Sequence, residues 1–210
     1  MFKAVFALHF LSLLCYSAIF SSVGPLIPYF SDEADRPQSY FSIILIMRGA
    51  GFVLGGFLKL WLMRSLNLHR GLAIGCFLTG AGSLVINFSY HIVWIACCSL
   101  IIAVGLFLIE VLASVSIMAE AGEQKGVYLR MGYTFASLGN FLEAWLISWV
   151  GLEILMIFGN TLLMMSLSYL LLPPEGGQEG KPQANNPEKE KTDNQKAIGS
   201  ENVNPMERQA

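Results

Sequence analysis

Six apolar runs of about 20 residues dominate the sequence and leave few folds open to it. An α-helix needs a run of about this length to cross the hydrocarbon core of a bilayer. The runs cover residues 4–30, 40–63, 71–89, 92–118, 131–150 and 152–172. Only 13% of all residues are charged, against about 25% in a typical soluble domain. The sequence therefore predicts an all-α, polytopic membrane bundle of six transmembrane helices over residues 1–172.

The segment 173–210 has a different composition. It is rich in proline, glycine, asparagine, glutamate and lysine and has almost no bulky apolar side chains. Such a segment cannot bury enough apolar surface to offset the loss of chain entropy on folding. We expect a disordered cytoplasmic tail or a linker.

Lysine and arginine are distributed unevenly among the predicted loops. Cytoplasmic loops of membrane proteins carry an excess of these residues. If the N-terminus is cytoplasmic, the cytoplasmic segments carry Lys3, Arg64, Arg70, Lys125, Arg130 and the lysines of the tail. The outer loops then carry only Arg36. This bias predicts a multi-pass protein with both termini in the cytoplasm, and we expect the plasma membrane rather than an organelle.

Several classes of function find no support in the sequence. The net charge of -2 and the lack of a basic patch argue against nucleic acid as a partner. The four cysteines have no C-x-x-C or Cys/His spacing, which makes them packing residues rather than zinc ligands or a disulfide framework. No Ser/His constellation, nucleotide loop or set of metal ligands is recognisable. The sequence predicts neither an enzyme nor a bound metal or cofactor.

Three charged residues fall well inside the predicted spans: Arg48, Glu110 and Glu143. Each costs about 2.5–3.5 kcal/mol at the centre of a membrane helix unless it is paired or hydrated. At 1.5 Å per residue, Arg48 and Glu143 lie roughly 10–12 Å below the same outer boundary. They are therefore either a structural ion pair or functional residues. His9 and Lys59 lie nearer the cytoplasmic ends, where we expect them to extend to the interface.

Glu110 has no charged partner at its predicted depth. Ser114 lies one helical turn further on and faces the same side of the helix. A carboxylate and a hydroxyl together suit a proton or cation site, or a contact with a sugar hydroxyl. The alternative is a neutral glutamic acid that bonds a neighbouring helix. Asn140 is likewise a mid-membrane amide that bonds either a neighbouring helix or a ligand.

Four short motifs follow one another along the spans. They are "GPLIP" at the end of the first run, "RGAGFVLGG" in the second, "IEVLAS" in the fourth and "YTFASLGNF" in the fifth. In this order they resemble the N-terminal half of a major facilitator superfamily transporter. The resemblance is closest to the sodium-dependent glucose transporter-like proteins and the fucose–proton symporters. It rests on Arg48, Gly51, Phe52, Gly55, Glu110, Ser114, Thr134, Phe135, Ser137 and Gly139.

This resemblance implies alternating access to a site between two six-helix halves, with a sugar as substrate and sodium or protons as the driving ion. The acid of the fourth helix, Glu110, would then face the central cavity. One departure concerns the loop after the second helix, where Leu60 and Arg64 replace the glycine and acid of the G-x-x-x-D-R pattern. Another is that members of this superfamily have about twelve helices. We therefore expect a homodimer or a second half to complete the cavity.

The function predicted from the sequence is membrane transport of a small solute, most simply a sugar, by symport with a cation. The alternative is a diverged or truncated membrane protein that does not transport and acts by binding partners. The candidate substrate- or ion-binding residues are Glu110, Ser114, Asn140, Arg48 and Glu143.

Overall fold

A computed structural model of the chain describes residues 2–150 and 153–172, and every element of secondary structure in those ranges is helical. The helices are α1 (Phe2–Ser21), α2 (Val23–Glu33), α3 (Ile43–Ser65), α4 (Leu68–Val85), α5 (Ile92–Glu120), α6 (Lys125–Val150) and α7 (Glu153–Leu171). Short 3-10 helices lie at Gln38–Ser42, Ile86–Phe88 and Gly122–Gln124. The all-helical prediction is confirmed for this part of the chain. The predicted tail, 173–210, lies outside the described residues.

Three helical segments are long and apolar enough to cross a membrane: Gln38–Ser65, Leu68–Phe88 and Ile92–Glu120. The pair α1 and α2 makes a fourth if it is counted as one span, although it is bent by 44°. Helix α6 is long but falls short in apolar character, and the apolar part of α7, Leu155–Leu171, is short. These segments support a membrane protein, while the count of six spans stays a prediction.

The bend between α1 and α2 has a local cause. Pro25 lies four residues after Ser21, so it has no amide hydrogen to donate to the Ser21 carbonyl. Its ring also crowds that carbonyl, which is a common reason for a helix to kink. The first predicted span is therefore two helices that meet at Ser22.

Helix α5 lies at the centre of the bundle and packs against α1, α3, α4 and α6. Most of its apolar segment is buried, whereas α3 exposes most of its own. The large apolar side chains of Ile46, Phe57 and Trp61 on α3 are between 62% and 69% exposed. An exposed face this apolar suits contact with lipid, since water would penalise it.

Glycines let α3 approach α5 closely. A methyl group built at Gly51 would lie 2.6 Å from both the Leu100 carbonyl and the Ala103 Cβ of α5. The small-xxx-small spacing of Gly51 and Gly55 therefore has a packing role. At Gly49, on the same helix, an added methyl group would meet nothing within 4 Å.

This difference predicts opposite effects of two neighbouring substitutions. Gly51→Ala should destabilise the bundle by about 1–3 kcal/mol, because it overpacks the interface between α3 and α5. Gly49→Ala should be neutral or slightly stabilising, because alanine favours a helix by up to about 1 kcal/mol. Thermal unfolding in detergent, followed by tryptophan fluorescence, measures both. Equal melting temperatures for the two variants would contradict the close packing at Gly51.

Candidate functional site

Four of the five predicted site residues contact one short segment, residues 16–21 of α1. Glu110 of α5 meets this segment at Tyr16, and Arg48 of α3 meets it at the carbonyls of Ile19 and Phe20. Two residues of α6, Asn140 and Glu143, meet it at Ser17 and Ser21. The first helix thus provides the partners of polar groups from three other helices.

The Glu110 carboxylate is held by a tyrosine. The Tyr16 hydroxyl donates a hydrogen bond of 2.8 Å to Glu110 Oε2. Among the described residues, no lysine, arginine or histidine forms an ion pair with Glu110. Ser114 does not reach this carboxylate, because its hydroxyl donates instead to the backbone carbonyl of Glu110, at 2.8 Å.

Glu110 lies on the half-exposed side of α5. Phe107, Glu110 and Ser114 are all partly exposed, and Met118 at the end of the same stripe is 41% exposed. Their spacing of three or four residues places them on one face of the helix. The opposite face, which includes Leu108 and Leu112, is fully buried in the bundle. Glu110 therefore lies at the border between the buried part of α5 and a stripe that the described helices cover only in part.

Arg48 and Glu143 do not form the ion pair that the sequence left open. The Arg48 guanidinium donates to the carbonyls of Phe20, at 2.8 Å, and Ile19, at 3.1 Å. It also lies 5.3 Å from the centre of the Phe20 ring. A cation at the C-terminal end of α1 is favourable, because the last carbonyls of a helix carry partial negative charge. The carbonyls at the end of α1 are thus the partners of Arg48, in the place that similar depth had suggested for Glu143.

Glu143 is nearly fully buried, at 2% exposure, with a single hydrogen bond to its carboxylate. The Ser21 hydroxyl donates to its Oε2 at 3.0 Å, and its Oε1 has no hydrogen-bond partner among the described residues. A buried carboxylate oxygen without a partner is costly to stability. Glu143 is therefore an acid whose partners within this part of the chain are incomplete.

Asn140 forms part of a polar stripe along α6. Its side-chain oxygen lies within hydrogen-bond range of the Ser17 hydroxyl, which also contacts the Ala136 carbonyl. Asn140 is nevertheless an exposed residue, as are Ser137 and Tyr133, which lie one and two turns before it. If α6 crosses the membrane as predicted, these exposed polar groups must face a water-filled cavity or another protein, because lipid cannot hydrogen-bond to them.

Three polar side chains of α1 belong to the site but were not predicted from the sequence. Tyr16, Ser17 and Ser21 stand in the stretch "YSAIFSS", a cluster of hydroxyl groups inside an apolar span. That cluster is a usable signal, since hydroxyl groups in a membrane helix seek partners on neighbouring helices. The prediction that His9 extends to the membrane interface is also wrong. His9 is completely buried rather than extended to the interface, and it contacts Tyr169 of α7 and Glu120 at the end of α5.

Comparisons with known proteins identify no relative. No protein-family model, curated protein or solved structure matches the chain.

The contact between Arg48 and α1 predicts that lysine cannot replace this arginine. Lysine carries a point charge rather than a planar fork, so it cannot donate to two successive carbonyls in the same way. Arg48→Lys should destabilise the protein by on the order of 2 kcal/mol, the size of one charge-assisted hydrogen bond. Arg64→Lys is the matched control, because Arg64 is exposed at the end of the same helix. Similar melting temperatures for the two variants would show that the carbonyl contacts of Arg48 add nothing to stability.

Proposed function

We propose that this chain forms one wall of a membrane transport pathway, with Glu110 as the residue that binds the transported cation or solute. The surface of the pathway comprises the half-exposed stripe of α5 around Glu110 and the polar stripe of α6 at Tyr133, Ser137 and Asn140. A small solute with several hydroxyl groups fits such a surface, because carboxylate, amide and hydroxyl groups all bond sugar hydroxyls.

The position of Glu110 is the observation that carries the proposal. An acid in the middle of a membrane helix is expensive, and it usually faces the interior of a bundle or a cavity. Glu110 is only partly exposed, is bonded by one neutral hydroxyl and lacks an ion-pair partner among the described residues. A cation or a solute hydroxyl would complete its coordination.

The resemblance to one half of a major facilitator superfamily transporter makes the proposal more specific. On that basis the solute is a sugar, the coupling cation is sodium or a proton, and the mechanism is alternating access. The opposite wall of the cavity would come from a second copy of the chain or from another six-helix half. Because the positive charges fall in the predicted inner loops, we propose that both termini are cytoplasmic and that the protein lies in the plasma membrane.

Uptake by proteoliposomes tests this function. Vesicles that contain the purified chain should accumulate labelled D-glucose or L-fucose when a sodium or proton gradient is imposed. Glu110→Gln keeps the size of the side chain and removes its charge, so we expect at least a tenfold loss of gradient-driven uptake. Glu153→Gln is the control, because Glu153 is an exposed acid at the start of α7.

Two results would count against the proposal. If neither sugar is taken up by the wild type under either gradient, the chain is not a sugar symporter on its own. If uptake occurs and is equal in Glu110→Gln and Glu153→Gln, Glu110 is not part of the pathway. In the first case, binding partners isolated by crosslinking at α6 would favour the alternative of a membrane protein that acts through its partners.

The bond from Tyr16 makes a separate prediction. Tyr16→Phe keeps the ring that stacks on Phe20 and removes only the hydroxyl that orients the Glu110 carboxylate. A hydrogen bond to a charged group contributes about 1.5–3 kcal/mol, so we expect the apparent affinity for the cation or sugar to fall roughly tenfold or more. Initial uptake rates at varied sodium, proton and sugar concentrations measure this. Tyr40→Phe is the control, since Tyr40 is an exposed tyrosine before α3. Unchanged half-saturation in Tyr16→Phe would show that the hydroxyl does not position Glu110.

A further inference from the structure

Two histidines and a glutamate from three different helices meet at the other end of the α1–α5 interface. They are His9 of α1, His69 at the start of α4 and Glu120 at the end of α5, and one potential ligand atom from each lies within 4.8 Å of the other two. The His9 and His69 rings are 6.1 Å apart, and His9 Nε2 is 3.7 Å from Glu120 Oε1. The distance from His9 to Glu120 exceeds that of a hydrogen bond.

The burial of this cluster is unusual for three titratable groups. His9 is fully buried and His69 is 6% exposed, while Glu120 is 17% exposed and gives the cluster access to the end of the bundle. His9 Nε2 and Glu120 Oε2 have no hydrogen-bond partner among the described residues. A buried polar atom without a partner is rare and calls for an explanation, such as an ion.

A chain of hydrogen bonds fixes the His9 ring. The Ser12 hydroxyl donates to the His9 carbonyl at 2.8 Å, so its oxygen is free to accept from the Tyr169 hydroxyl at 3.3 Å. The Tyr169 oxygen lies 2.8 Å from His9 Nδ1 and holds the ring by a hydrogen bond. The other ring nitrogen, Nε2, lies 3.7 Å from Glu120 Oε1. A metal ion between this nitrogen and the carboxylate would satisfy both groups, whereas a proton on the nitrogen would make them an ion pair.

The end of α5 gives a second reason to expect a cation. Glu120 is the last residue of that helix. A carboxylate at a helix C-terminus is unfavourable, because the last carbonyls already carry partial negative charge. Ser116 donates to Glu120 Oε1 at 3.3 Å, which satisfies only one of the two oxygens. A divalent cation beside Glu120 would offset both the carboxylate and the helix end.

From this geometry we infer a binding site for a divalent transition metal of the zinc type, held by His9, His69 and Glu120. Two imidazoles and one carboxylate suit Zn²⁺, and three protein ligands leave the fourth tetrahedral position open to water or a further ligand. Bonds of about 2.0–2.1 Å place tetrahedral ligand atoms roughly 3.4 Å apart. The ligand atoms lie within 4.8 Å of one another, so binding would draw them closer by at most about 1.4 Å. Tyr169 is a positioning residue, because it acts through His9.

Metal titration of the tag-free chain in detergent tests the site. After removal of bound metal with EDTA, calorimetric titration with Zn²⁺ should give one ion per chain. Glu120→Gln and His69→Gln should each weaken binding at least tenfold. His91→Gln should not change it, because His91 is exposed before α5 and is the only other histidine of the sequence. Tyr169→Phe should weaken binding by about 10–100-fold, the usual effect of removing a partner of a ligating histidine.

Two outcomes of this titration would overturn the proposed metal site. The site is overturned if the wild type shows no saturable binding up to about 100 µM Zn²⁺, or if His91→Gln loses binding while Glu120→Gln keeps it. The contact between His9 and Glu120 would then be an ion pair only. If the Glu120 and His69 variants fail to fold, the Co²⁺ spectrum of the wild type decides the matter. Intense visible bands from a four-coordinate ion support the site, and the weak bands of a six-coordinate ion overturn it.

Discussion

The bundle depends on the rule that polar groups inside a membrane must find their partners within the protein. Residues 16–21 of α1 are the point where this rule acts most strongly. Side chains from α3, α5 and α6 all bond to this segment, through its hydroxyl groups and through the carbonyls left at the end of α1 by the break before α2. Hydrogen bonds to this segment of about one and a half turns therefore help to position three helices around α1.

The interface of α1 with α5 carries two polar sites of different character. At one, Tyr16 bonds Glu110; at the other, His9 faces Glu120. Because the two helices run antiparallel, residues seven apart on α1 meet residues ten apart on α5, which puts the sites roughly 10–15 Å apart along the bundle. The first borders the partly exposed stripe of α5. The second opens toward the end of the bundle, where an aqueous cation could enter.

The sequence was a good guide to the helices and a poor one to their contacts. Apolar length predicted the all-helical fold, and the low charge content made Glu110 conspicuous without any structure. Similar depth on separate helices, however, left an ion pair between Arg48 and Glu143 open, because depth carries no information on which faces point at each other. In the structure, Arg48 bonds carbonyls at the end of α1, and Glu143 accepts a hydrogen bond from Ser21. His9 was placed at the interface for the same reason, since its distance from the helix start does not reveal what surrounds it.

The sequence by itself determined that this chain is helical and that its long apolar segments suit a membrane. It also showed that a few acids within those segments need either a bonding partner or a function. These follow from transfer free energies, which depend on residue type and run length alone. Only the tertiary structure decided the partners: the tyrosine of Glu110, the carbonyls of Arg48, and the meeting of two histidines and a glutamate far apart in the chain. Those contacts depend on the rotation and kink of each helix, and packing between helices sets both.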